Sequence, residues 1–187
     1  MKLPKVISRE DCQRILAVPN LKTKTGLRNF VILFTLYRAG LRVEEVCSLA
    51  TEDVMLDEGW LSIQQGKGGK DRVVPISEDL KGELWKWKNA RPEGQFFFNT
   101  HKGGKLDQSY VRRMVYSASE KAGVYLLDGK IKKPISPHTL RHCFATELLE
   151  EGFSIVDVKT LLGHSSTQTT SVYLHVRPYD LAEKMKK

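Results

Sequence analysis

Residues 53–76 read DVMLDEGWLSIQQGKGGKDRVVPI, and this stretch decides the fold class. Two or three short strand-like runs are broken by DEG at 57–59 and GKGG at 66–69. That pattern predicts a small antiparallel sheet with a tight basic turn between its last two strands. On either side the hydrophobic period becomes helical. Upstream, Leu27, Phe30, Val31, Phe34, Leu36 and Tyr37 mark a buried helix ended by Ala39-Gly40. A shorter helix precedes it, opened by Ser8 and Asp11 as a capping pair, and another covers about 43–49. Downstream, Ser77 can cap the helix SEDLKGELWKWK, acidic in its first turn and basic in its last, as the helix dipole favours. QFFFNTHKGGK then runs into a glycine turn, helical spacing resumes over about 107–121, and DGKIKKP reads as a basic loop. Ser136-Pro137 starts a strong helix with Leu140, Phe144 and Leu148 as its apolar stripe and Gly152 as its stop. Ser154 and Asp157 cap a helix ending at LLGH, and a further helix from near Thr167 carries Tyr173. The expected fold is mainly α with a small antiparallel β-sheet (α+β), in one domain over residues 1–187.

The 187 residues suffice for a hydrophobic core, and 41% hydrophobic content with a mean hydropathy of −0.34 is ordinary for a globular chain. No apolar run reaches membrane-spanning length, and MKLPKVISRED contains no apolar stretch of signal-peptide length. Cys12, Cys47 and Cys143 are odd in number and far apart, which suits packing in a reducing cytoplasm rather than a disulfide framework or zinc site. Thirty Lys plus Arg against 22 Asp plus Glu gives +8, a balance that favours a polyanionic partner through counterion release. The positive charge is clustered in KGGKDR (67–72), HKGGK (101–105), VRRM (111–114) and GKIKKP (129–134). From these clusters Lys70, Arg72, Lys102, Lys105, Arg112, Arg113, Lys132 and Lys133 are expected to contact DNA, although solvated loops look the same.

Four short motifs hold groups capable of chemistry. In PHTLRH, His138 and Arg141 stand three residues apart on one side of a helix. The guanidinium supplies fixed planar donors for phosphate oxygens and the imidazole can move a proton near neutral pH; a solvated basic helix start is the bland alternative. His138 and His142 have metal-binding spacing, but Arg141 would set a positive charge beside the cation and no carboxylate completes that turn. In AGLRVEEV, Arg42 is an anion clamp steadied by Glu45, or half of an exposed salt bridge. Lys67, in a glycine-rich turn, could swing toward a reacting atom as a general acid, with Lys70 and Arg72 competing for that role. His164 follows LLG, and Tyr173 lies nine residues on in LLGHSSTQTTSVYLHV, either a packed aromatic or a nucleophile.

In this order, GLRVEE (40–45), GKGGKDRVVP (66–75), SPHTLRHCFAT (136–146), LLGH (161–164) and Tyr173 in TSVYLHV resemble the catalytic domain of the tyrosine recombinases, the phage-integrase family, over about residues 5–180. The resemblance implies that Tyr173 is the nucleophile and that Arg42 and Arg141 clamp the scissile phosphate. His138 and His164 are then further phosphate-site donors, Lys67 protonates the leaving oxygen, and Glu45 is a supporting acid. The implied activity is site-specific DNA recombination through a 3′-phosphotyrosine, with double-stranded DNA as partner and no metal or cofactor. A type IB topoisomerase-like nicking-closing enzyme and a catalytically silent DNA-binding accessory protein are the alternatives. The first landmark is already Arg42, so the expectation is a chain without the family's N-terminal clamp domain, either an excised catalytic domain or a natural one-domain recombinase, with weak DNA binding in isolation. The tail from about residue 177 is expected to exchange between subunits of a homotetramer on DNA, packing back on its own domain or fraying being the alternative, with a monomer or weak association in the absence of DNA. The expected setting is the cytoplasm, at the nucleoid, with no membrane partner.

Overall fold

The computed structural model describes residues 6–64, 71–128 and 130–163. Its first helices are α1 (Arg9–Leu16), α2 (Lys24–Arg38) and α3 (Val43–Ser48). Strands β1 (Val54–Met55), β2 (Trp60–Ile63) and β3 (Arg72–Pro75) follow, then α4 (Glu78–Ala90) and α5 (Gln108–Ala122). A hairpin of β4 (Tyr125–Asp128) and β5 (Ile131–Pro134) leads to α6 (Pro137–Glu150) and α7 (Ile155–Leu162). The expected class holds: the described residues are mainly helical, with a small antiparallel sheet of order β1-β2-β3.

Local chemistry sets the helix boundaries. Ser8 Oγ accepts from the Asp11 N–H, Thr23 Oγ1 from Gly26, Asp107 Oδ1 from Ser109, Ser136 Oγ from Thr139 and Ser154 Oγ from Asp157. Each satisfies a first-turn donor that has no partner within its helix. Ser77, expected to cap its helix through its side chain, does not. It occupies the N-cap of α4 without accepting a backbone N–H, and its hydroxyl donates instead to the Asp79 carboxylate.

Helix α2 lies at the centre, packed on α1, α3, α4 and α6, while α5 covers α1, α3 and β5. Val31, Ile32, Leu33, Leu36, Leu61, Val74, Leu84, Phe97 and Phe98 are among the buried residues that fill the main core. Phe144, Leu148, Phe153, Val158, Leu161 and Leu162 form a second cluster where α7 rests on α6. Arg28, buried in α2, donates to the Asn99 carbonyl (2.9 Å) and the Tyr110 hydroxyl (2.6 Å), tying the segment after α4 to α5.

In the basic stretch expected as a loop, Ile131–Pro134 forms a strand of a second sheet. Tyr125 pairs with Pro134, Leu126 with Lys133, Leu127 with Lys132 and Asp128 with Ile131. Only two residues separate the strands, and the chain there reads Gly129-Lys130, the Gly-X order of a two-residue hairpin connection. The run of lysines concealed that signal.

Candidate active site

The site begins where α2 ends. Gly40 has φ +61, and a Cβ there would lie 2.3 Å from Phe144 Cδ1. Glycine is required both by the left-handed backbone and by the close approach of α6. Two residues on, Arg42 is the N-cap of α3, and Glu45, one turn inside, reaches back to it. The Arg42 N–H donates to Glu45 Oε2 at 2.6 Å, and Arg42 Nη1 donates to Oε1 at 2.8 Å.

Two further guanidiniums converge on the same carboxylate. Arg72, the first residue of β3, donates from Nη1 to Oε1 at 2.7 Å and from Nη2 to Oε2 at 2.9 Å, a two-pronged pair. Arg141 of α6 places Nη1 3.9 Å from Oε2. The side chains of Glu45, Arg72 and Arg141 are each 7% exposed, whereas Arg42 is 35% exposed. Arg42 is thus the member of the cluster that solvent, or a bound anion, can reach.

Helix α7 closes the arrangement with its C-terminal carbonyls, which have no partner inside their own helix. Leu161 O accepts from Arg72 Nε at 2.8 Å, Leu162 O from Arg141 Nη2, and Gly163 O from Arg42 Nη2 at 3.0 Å. Arg141 Nη1 also donates to the Gly40 carbonyl. Gly163 takes φ 63, the left-handed cap that turns the chain off the helix. Three consecutive carbonyls therefore hold three arginines, immediately before residue 164.

The electrostatics follow from this crowding. Burial alone would push the Glu45 carboxyl up, but the Arg72 guanidinium, with the backbone N–H and guanidinium of Arg42, outweighs it and holds the group down at about 2. Burial, then the neighbouring Arg42 charge, pushes Arg141 down to about 10, with Glu45 opposing. Arg141 therefore stays a cation at neutral pH. His138 lies exposed on α6 one turn before Arg141. His142, also exposed, is held below the ordinary imidazole value by partial burial and by the nearby His138 and Arg141.

Arg42, Glu45 and Arg141 are brought together, with His138 on the adjoining helix turn. Lys67, Lys70, His164 and Tyr173 lie outside the described residues. Arg72 requires a correction: expected at the DNA surface, it is buried and spends its Nε, Nη1 and Nη2 on protein acceptors. The strand pattern contained the signal. Arg72 pairs with buried Ile63, and Val74 with buried Leu61, so residues 72, 74 and 76 face inward. Lys102, Lys105, Arg112, Arg113, Lys132 and Lys133 are exposed. Arg112 donates to the Gln108 side chain and Arg113 to the Ser109 hydroxyl, Lys105 stands over the Phe96 ring, and Lys132 over the Tyr125 ring.

Comparison with known proteins places these residues in context. The profile of the phage integrase family matches residues 5–179. The tyrosine recombinase XerA of Thermococcus kodakarensis is 38% identical, over 99% of this chain and 63% of that protein. The tyrosine recombinase XerD of Listeria monocytogenes serotype 4b is 35% identical, over 98% and 62%. Among solved structures, that of XerA recombinase superposes with a TM-score of 0.76 at 30% identity, covering 98% of this chain and 64% of that one. The XerH site-specific recombinase bound to its difH substrate superposes at 0.70 with 27% identity, over 98% and 54%. The chain spans about three-fifths of the length of the curated relatives it matches.

Proposed function

Since this chain belongs to the phage integrase family, we propose that it is a tyrosine recombinase, cutting and rejoining double-stranded DNA at specific sites through a 3′-phosphotyrosine. The support rests above all on one observation: Arg42 and Arg141 meet at Glu45, with Arg42 reachable from solvent. A phosphodiester is anionic and gathers more negative charge on its oxygens as the nucleophile attacks, so positioned cations lower the barrier most. Arg42 supplies such a charge at the surface, and Arg141 supplies a second from the α6 side.

In this reading the Tyr173 oxygen attacks phosphorus and the bond to the 5′ oxygen breaks. Lys67 protonates that leaving oxygen, and the phenolic proton passes to a base, for which exposed His138 is the candidate. His164 donates to the phosphate. One phosphodiester replaces another, so a partner strand's 5′-hydroxyl can reverse the step at a new junction without an external energy source. A homotetramer on DNA, exchange of the tail from about residue 177, and action in the cytoplasm at the nucleoid belong to the same reading. So do surface contacts from Lys70, Lys102, Lys105, Arg112, Arg113, Lys132 and Lys133 to DNA phosphates.

The test is a nicked duplex spanning an inverted-repeat site from the DNA flanking the coding region, whose small 5′-hydroxyl fragment diffuses away after cleavage. A covalent protein–DNA adduct should form in the presence of chelator and be absent in Tyr173→Phe. No adduct across a panel of such sites would overturn the reading. Relaxed circles without recombinant junctions would replace it with nicking-closing activity.

A further inference from the structure

Arg72 is the most completely engaged of the three arginines. Nη1 and Nη2 grip both oxygens of Glu45, Nε holds the Leu161 carbonyl, and the side chain is 7% exposed. A DNA phosphate would have to displace one of these bonds to reach it. Arg42 and Arg141, by contrast, each donate a single bond from Nη1 and from Nη2. Arg72 also joins three elements remote in sequence: β3, the first turn of α3 and the last turn of α7.

The rest of the cluster is arranged around that bracket. Both Glu45 oxygens that Arg72 grips also accept from Arg42. The carboxylate's orientation, fixed by Arg72, therefore fixes where the Arg42 guanidinium points. The end of α7, pinned by Arg72 at Leu161, presents the next two carbonyls to Arg141 and Arg42. We infer that Arg72 is a positioning residue for DNA cleavage: it makes no DNA contact, but locks Glu45 and the end of α7 so that Arg42 and Arg141 are set for the phosphate.

This inference rests on the recombinase reading for its kinetic consequence and on the geometry alone for its hold on Glu45, so two measurements are paired. The first compares wild type, Arg72→Ala and Arg72→Lys on the nicked substrate at saturating DNA, with folding checked by circular dichroism. Adduct formation should slow about 100-fold in both variants, the scale of a misplaced reacting group. Lysine retains the charge but cannot span two carboxylate oxygens and a carbonyl. DNA affinity and its dependence on salt should stay as in wild type. A salt slope lowered by about 1 with an unchanged rate at saturation would make Arg72 a phosphate contact instead and overturn the inference; so would full recovery of the rate by lysine.

The second measurement follows the Glu45 carboxyl by carbon NMR during acid titration. The charged groups facing it are Arg42 at the N-cap of its own helix, Arg72 from β3 and Arg141 from α6, while α7 presents carbonyl oxygens. Loss of Arg72 removes the strongest partner holding the carboxyl down, so its midpoint should rise in Arg72→Ala. An unshifted Glu45 midpoint sinks the inference whether or not the chain cleaves DNA. Failure of wild type to form any adduct sinks the recombinase reading while leaving this titration decisive.

Discussion

Two glutamates, Glu45 and Glu147, are buried against guanidiniums within the same small protein, and their surroundings could hardly differ more. Glu45 sits among three arginines, two of them as buried as itself, at the C-terminal end of α7. Glu147, on α6 two turns beyond Arg141, accepts from the Tyr37 hydroxyl and lies 3.4 Å from Arg9 and 3.5 Å from Arg38. Those last two side chains are 58% and 29% exposed. Around Glu147 one carboxylate meets a phenol and two partly solvated cations, a balance water can share. Around Glu45 the cations outnumber the anion in a setting water barely enters, and the surplus positive charge is retained. The first arrangement clips α1 and α2 to α6. The second concentrates field at a surface where, of the three arginines, Arg42 is the most exposed.

Removing Glu45 should break this contrast most severely. Glu45→Ala leaves Arg42, Arg72 and Arg141 facing one another without their shared counter-charge. The expected cost is about 3–5 kcal/mol in denaturant unfolding, the range for a buried pair deprived of one member, together with loss of the DNA adduct. Glu45→Gln isolates the charge. The folded carboxyl is held at about 2, below its ordinary value of 4.5. Its contribution to stability is therefore complete above the ordinary value and is lost as pH falls toward about 2. Thermal melts of Glu45→Gln should be flatter than wild type across that window. Identical acid limbs would show that the carboxylate is not held by its arginines.

Much of this was legible in the sequence, for identifiable reasons. Side-chain caps are local in sequence, so Ser8, Ser136 and Ser154 announced their helices, and the buried run from Leu27 to Tyr37 announced α2. The pairing of Arg42 with Glu45 is also local, one helical turn apart. What remained hidden was contact at long range. Arg72 meets Glu45 across 27 positions and Leu161 across 89, and no periodicity encodes either. Read within KGGKDR, Arg72 looked like one more cation of a basic turn, although alternation with Val74 placed it on the inward face of β3. The β4–β5 hairpin was missed for a related reason, its lysine content having outweighed the Gly-X signal in the sequence between the strands.

A somewhat smaller effect is expected at Gly40, which tests the cluster through backbone rather than charge. Gly40→Ala places a methyl 2.3 Å from Phe144 in a left-handed conformation. Strain of about 1–3 kcal/mol is expected, with relief coming from movement of the Gly40 carbonyl away from Arg141. Unfolding should report the strain, and adduct formation should slow more than stability alone accounts for. A variant destabilised yet fully active would mean that the Gly40 carbonyl has no part in placing Arg141.

The smallest effect should come from Glu147, and its smallness is what sharpens the contrast. Glu147→Gln retains an oxygen that accepts from the Tyr37 hydroxyl but surrenders the charge paired with Arg9 and Arg38. Because those cations are partly solvated, water takes over much of the lost interaction, and the cost should be about 1 kcal/mol in unfolding. Cleavage should be unchanged, since no bond runs from Glu147 to Arg42, Arg72 or Arg141 among the described residues. Both clusters share α6, however, and α6 carries Arg141. If neutralising Glu147 slowed the adduct as much as disturbing Gly40, the two ends of that helix would be mechanically coupled, and the Glu147 cluster would belong to the machinery of cleavage rather than to the scaffold.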